Sequence, residues 1–142
     1  MQFMRLVYVS NAARSFGEAE LVAMVNHSAS NNEKDDVTGL LLASGGHFLQ
    51  VLEGPKVRVA GVYARITRDR RHERLQKLLW EPAAYRLFPD WGMQLVTPER
   101  LPLMDRETVQ QTMLNLRLLL NTQEANDAIE ALKEFRKYLA AA

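Results

Sequence analysis

Apolar positions fall into five short stretches suited to strands and two early segments of helical period, and the pattern becomes wholly helical after Thr97. Met4 to Ser10 reads as a first strand with Leu6, Tyr8 and Ser10 on one face and Arg5, Val7 and Val9 on the other. A helix is predicted from Ser15 to about Ser30, with Ser15 as N-cap, Glu18 three residues on, and Leu21, Met24, Val25 and Ser28 at helical spacing. Asn31 and Asn32 end it on this reading, since Asn is tolerated in the left-handed conformation that closes helices. Val37 to Pro55 then carries two apolar runs around Ser44-Gly45-Gly46, the signature of a β-hairpin. Its second strand sets Phe48, Gln50 and Leu52 against Leu49, Val51 and Glu53.

A second helix is predicted from Val57 to Arg70, with Val59, Val62, Tyr63 and Ile66 on its apolar stripe. Leu75 to Leu87 contains Pro82 and reads as an irregular edge strand, because proline cannot donate to a ladder. Trp91 to Thr97 is the last strand, with Trp91, Met93 and Leu95 assigned to one face by alternation. Arg106 to Asn121 and Gln123 to Ala141 are amphipathic helices. The order is that of an α+β, ferredoxin-like βαββαββ fold: an antiparallel or mixed sheet with two helices on one face. Both parities of the strands are apolar, so the two C-terminal helices are expected to cover the other face or form an interface. Residues 1–97 thus read as the main α+β domain and 98–142 as a helical cap or interaction segment.

Composition narrows the chemistry. The chain has 142 residues, a net charge of +1 and no cysteine, which excludes disulfides, thiolate metal sites and cysteine nucleophiles. Nothing in that charge balance favours nucleic acid or an anionic membrane. The N-terminal apolar run is too short for a signal peptide, and no stretch is long enough to span a bilayer, so the expected location is cytoplasmic. Arg65, Arg68, Asp69, Arg70, Arg71, His72 and Arg74 crowd the end of the second helix, where cations suit the helix dipole.

Gln50 is the anomaly: a primary amide inside an apolar strand, on the face that Tyr8 and Ser10 share if both strands present it to the helices. Each buried amide group left unpaired costs about 1–3 kcal/mol. A buried Tyr–Gln hydrogen bond satisfies part of it. A planar heterocycle with alternating carbonyls and N–H groups satisfies more, with Asn31 and Asn32 near its edge and apolar helix faces around its rings.

Six segments in order carry a family resemblance: L-V-Y-V-S at Leu6 to Ser10, N-N at Asn31-Asn32, V-T-G-L-L-L from Val37, F-L-Q-V-L-E-G-P from Phe48, D-R-R-H from Asp69 and R-L-F-P-D-W-G-M from Arg86. Over about Met4 to Thr97 the chain resembles BLUF domains, the flavin-binding blue-light sensors. The resemblance implies noncovalent FAD, with FMN or riboflavin as substitutes, lodged between the two helices. It implies Tyr8 as photochemical electron and proton donor and Gln50 as the amide that rearranges, leaving a red-shifted absorption. Asn32 would pair with the flavin N3–H and C4 carbonyl, Asn31 lying near the C2 side. Arg71 would meet the C2 carbonyl, while Arg65, Asp69, His72 and Ser10 would surround the ring and ribityl chain and Met24 and Ile66 form apolar walls. Trp91 and Met93 match the family's switch positions. Gly92 stands where many relatives have Ser, which is expected to loosen the last strand.

The function so implied is that of a blue-light photoreceptor, not an enzyme, signalling through its own oligomer or a separate downstream protein. The rival readings are a small phosphatase-like hydrolase, with Asn11 and Arg14 holding a phosphate, and a ligand-free interaction module.

Overall fold

The computed structural model describes residues 2–120. The elements are β1 (Phe3–Ala12), α1 (Glu18–Lys34), β2 (Thr38–Ser44), β3 (His47–Pro55), α2 (Lys56–Arg68), β4 (His72–Pro82), β5 (Gln94–Val96) and α3 (Arg106–Leu119), with a short 3-10 turn at Leu101–Leu103. Five strands form one mixed sheet in the order β4-β1-β3-β2-β5, in which only the β2–β5 pairing is parallel. The expected helix Gln123–Ala141 lies outside the described residues.

The alternation read from β1 and β3 holds. Leu6, Tyr8, Phe48 and Leu52 face α1 and α2, where they pack with Leu21, Val25, Val59, Val62, Tyr63 and Ile66. Val7, Val9, Leu49 and Val51 face the other way, against Leu101, Met113, Leu116 and Leu120. Each sheet face therefore has its own core, and α3 supplies the cover expected of the C-terminal segment. The hairpin closes on Gly45 and Gly46 at φ 56° and 81°, the pair of positive angles a two-residue turn between twisted strands demands.

Several boundaries moved for tertiary reasons. Asn31 and Asn32 do not end α1; it continues to Lys34 and closes at Asp35, because the Asn32 side chain is occupied elsewhere and its backbone stays helical. Ser15 is not the N-cap. The helix starts after Gly17, with no side-chain cap and with Glu18 and Glu20 in its first turn, where carboxylates oppose the helix dipole. The edge strand is at the sheet's margin and irregular as expected, with two register shifts against β1, but it spans His72–Pro82 rather than Leu75 to Leu87.

Beyond Pro82 the chain is pulled out of the sheet by Glu53. This carboxylate is 1% exposed and ion-paired to Arg5 Nε at 2.8 Å. It also accepts from the backbone N–H groups of Leu87 and Phe88, at 2.9 and 2.7 Å. One buried anion thus ties β1, β3 and the β4–β5 connection together. Glu53→Gln leaves Arg5 without its countercharge in a buried setting, so urea denaturation should show a loss of about 3–5 kcal/mol.

The last strand is also shorter than alternation suggested. Gly39 N–H donates to Trp91 O at 3.0 Å, and regular pairing begins only where Leu40 meets Gln94. Residues 91–93 approach the sheet as an irregular segment, so period-two alternation does not govern them.

Candidate functional site

A cavity of about 230 Å³ opens between α1 and α2 above the centre of the sheet. Its floor is set by register: Tyr8 on β1 lies directly opposite Gln50 on β3, and Gln50 directly opposite Leu41 on β2. The Tyr8 hydroxyl donates to Gln50 Oε1. Gln50 Nε2 in turn donates to Met93 Sδ at 3.4 Å. A thioether is a weak acceptor, and the amide nitrogen has a second proton for which no other partner exists among the described residues.

The walls come from both helices. Met24, Ser28, Asn31 and Asn32 line the α1 side; Val62, Arg65 and Ile66 line the α2 side; Asp69, Arg71 and His72 close the end between α2 and β4. Asn32 is 3% exposed and donates through Nδ2 to Gly92 O at 2.9 Å. Its Oδ1 has no partner among the described residues. That approach depends on Gly92: a Cβ there would stand 2.8 Å from the Ala29 carbonyl of α1. Glycine at this position therefore lets the irregular 91–93 segment close onto the α1 backbone.

The other polar residues are committed in part to one another. Arg71 Nε donates to Asp69 Oδ1 at 2.9 Å; this pairing holds the Asp69 carboxyl below its ordinary value and the Arg71 guanidinium above its own. Arg65 donates to Asp35 at 2.9 Å and remains largely exposed at the rim. His72 Nε2 sits 2.8 Å from the Ile66 carbonyl, which can only accept, so Nε2 carries the proton. Its Nδ1 lies 3.0 Å from Ser10 Oγ. Ser10 is not among the cavity-lining residues; it anchors His72 from β1.

Of the residues singled out from sequence, Tyr8, Met24, Asn31, Asn32, Gln50, Arg65, Ile66, Asp69, Arg71, His72 and Met93 converge on this cavity. Trp91 does not. It stacks on Phe88 with ring centroids 6.3 Å apart and packs against the core beneath α3, on the opposite side from Met93. The expected common face failed because residues 91–93 are not a regular strand. Sequence reading also passed over His27, Ser28 and Phe48 as lining residues; His27 and Ser28 stand one turn before Asn31 and Asn32, a helical spacing that was available to find them. Asn11 and Arg14, the pair considered for phosphate, are engaged with His47 and Glu20 respectively.

The residues present fit the edge of a flavin. An unpaired amide N–H on Gln50 and an unpaired Oδ1 on Asn32 offer the donor and acceptor that a ring carbonyl and ring N–H require, between aliphatic walls.

The fold is an α+β sheet with two helices clasping a cavity floored by a Tyr–Gln pair, and residues 3–94 match the family model described as sensors of blue-light using FAD. The chain belongs to this BLUF family. It is 36% identical over 110 residues to the blue light- and temperature-regulated antirepressor BluF of Escherichia coli, a match that spans 78% of this chain and 27% of that protein. It is 35% identical over 105 residues to the photoactivated adenylate cyclase subunit beta of Euglena gracilis, covering 70% of this chain and 12% of the relative. The chain thus spans about a quarter or less of these curated relatives. Among solved structures, BlrB, a BLUF protein in its dark state, superposes with a TM-score of 0.69 at 28% identity, covering 99% of this chain and 96% of that one. BlsA in its photo-activated state shares the fold at a TM-score of 0.66 and 22% identity. No helix among the described residues is long and apolar enough to cross a membrane.

Burial pushes the Tyr8 phenol well above its ordinary value, with smaller contributions from Tyr63 and Asp69. A group raised in the folded state favours folding fully below its unfolded value and loses that contribution as pH climbs past it. The stability advantage of the wild type over Tyr8→Phe should therefore shrink above about pH 10, measured by thermal melts of both. An advantage that stays constant would mean that the phenol ionises as easily folded as unfolded.

Proposed function

We propose that this chain is a blue-light switch in which Tyr8 is the electron and proton donor to a bound FAD and Gln50 is the group that moves. The observation that supports it most directly is the Tyr8–Gln50–Met93 series, a phenol donating to an amide oxygen and the amide nitrogen donating to a thioether. The flavin, when bound, supplies the light absorption and the oxidising power.

The chain's own residues do the rest. The Tyr8 phenol carries its proton at neutral pH, so an electron and a proton leave together or in quick succession, with Gln50 Oε1 as the group that receives the proton. Asn32 would hold the ring's N–H through its free Oδ1, with Asn31 toward the C2 side. Arg71, Arg65, Asp69 and His72 form the polar end and rim, with Met24 and Ile66 as walls. Ser10 acts through His72 rather than on the ligand directly.

The Met93 contact makes the amide's two orientations unequal. Turning Gln50 over aims Oε1 at a sulfur that has no proton to donate. A turned amide must find another donor, change tautomer or displace Met93. Displacing Met93 moves the segment Leu87–Met93, which Asn32 holds at Gly92 and Glu53 holds at Leu87 and Phe88. The same segment touches α3, where Asn115 Nδ2 donates to Leu87 O at 3.2 Å. In this reading residues 1–97 sense light, and 98–142 report it to a second copy of the chain or to a separate protein.

Purified protein loaded with FAD should show an absorption band that shifts reversibly to the red under blue light. Tyr8→Phe should keep the flavin and lose the shift. A variant that still photoconverts normally would remove Tyr8 from the mechanism, and a wild-type spectrum indifferent to light would end the proposal. Met93→Ala should retain photoconversion but alter the lifetime of the lit state, followed as dark recovery at the red edge of the band.

A further inference from the structure

His27 stands one helical turn before Asn31 on α1, and both line the cavity. His27 Nε2 lies 3.3 Å from Asn31 Nδ2. Two nitrogens can share a hydrogen bond only if one brings a proton and the other a lone pair. An amide nitrogen has no lone pair to give, so Asn31 donates and His27 Nε2 accepts. This arrangement requires a neutral imidazole with its proton on Nδ1, and it turns Asn31 Oδ1 away from His27. Protonation inverts the requirement. Nε2 then carries a proton and needs an acceptor, and the only acceptor on the Asn31 side chain is Oδ1. Turning the amide over restores the contact at this exposed pair, presenting its two N–H donors where the oxygen had been.

We propose that His27 is a positioning residue whose protonation decides whether Asn31 offers the cavity an acceptor or a pair of donors, and so tunes how tightly a flavin edge is held. The proposal rests on the flavin reading of the site. The polar edge of the ring is rich in carbonyl oxygens, so donors hold it better than an acceptor does, and affinity rises when His27 is charged. Asn32 cannot follow the same change, because Gly92 O fixes its Nδ2 at 2.9 Å.

Other charges line the same cavity. From α2 comes Arg65, paired with Asp35. From the connection to β4 come Asp69, paired with Arg71, and His72, held between Ser10 and Ile66. Along α1 itself the neighbouring charged positions are Glu20, Glu33 and Lys34. With Arg65 and Arg71 each balanced by a carboxylate, His27 is the cavity-lining cation-former on α1 whose bonding partner is an uncharged amide.

Two measurements on the full chain test this. In the flavin-free protein, the Asn31 side-chain amide resonance should move with the same midpoint as the His27 ring when pH is lowered through the imidazole range. Riboflavin is the binding probe, since it lacks the phosphates that Arg65 and Arg71 would sense. Its affinity, read by fluorescence quenching, should increase about fivefold between about pH 8 and about pH 5.5 in the wild type. The profile should flatten in His27→Ala and in His27→Gln, whose amide serves as donor or acceptor at any pH. His72 and His47 are present in all three proteins, so the difference between profiles isolates His27. An Asn31 resonance that ignores the His27 midpoint, or an equal pH response in the variants, overturns the proposal. Riboflavin failing to bind the wild type at either pH sinks the flavin reading instead, while the Asn31 response judges the His27 coupling by itself.

Discussion

The pairing of Tyr8 with Gln50 across β1 and β3 is the constraint on which the rest of the structure is arranged. A phenol and a primary amide buried on the central strands would each be costly alone, at about 1–3 kcal/mol per unsatisfied group. Together they cancel most of that cost, but the cancellation works only in one register. A slip of one residue would turn both side chains to the opposite face. The apolar residues on either side, Leu6 and Phe48 toward the helices and Val7 and Leu49 toward α3, fix that register by being buried on both faces. The core therefore holds the polar pair in place, and the polar pair gives the core a site.

Glu53 plays the matching role at the other end of β3. Its ion pair with Arg5 and its bonds to the Leu87 and Phe88 N–H groups decide where the chain leaves β4 and how it returns to the sheet. That return path sends Met93 to the cavity and Trp91 to the α3 side. The residues after Pro82 thus form a bridge with one side on the ligand pocket and the other on the C-terminal helix. Such a bridge can report a change at Gln50 without any residue of α3 touching the ligand.

The family relation and the geometry bear on different questions. Membership in the BLUF family rests on the match over residues 3–94. How this particular chain holds its pocket rests on its own contacts, among them Gly92 against α1 and His27 beside Asn31. The curated relatives named above are much longer than this chain, and the part of each that resembles it is about a quarter or less.

Most of the cavity-lining residues named from the sequence came through the family resemblance. The sequence by itself determined the strands of the hairpin, the faces of β1 and β3, and the apolar stripes of α1 and α2. Local rules are enough for these: a period of two in an extended chain, a period near 3.6 in a helix, and paired glycines at a tight turn. Tertiary structure decided what local rules do not reach. Asn31 and Asn32 look like a helix terminus, yet α1 runs past them because Asn32 finds its partner at Gly92, far along the chain. Trp91 and Met93 look like neighbours on one strand face, yet a carboxylate on β3 and an amide on α1 hold the intervening backbone out of the ladder and send them to opposite cores. Each difference arises where a buried polar group is satisfied by a residue distant in sequence, and no pattern within a short window can register that.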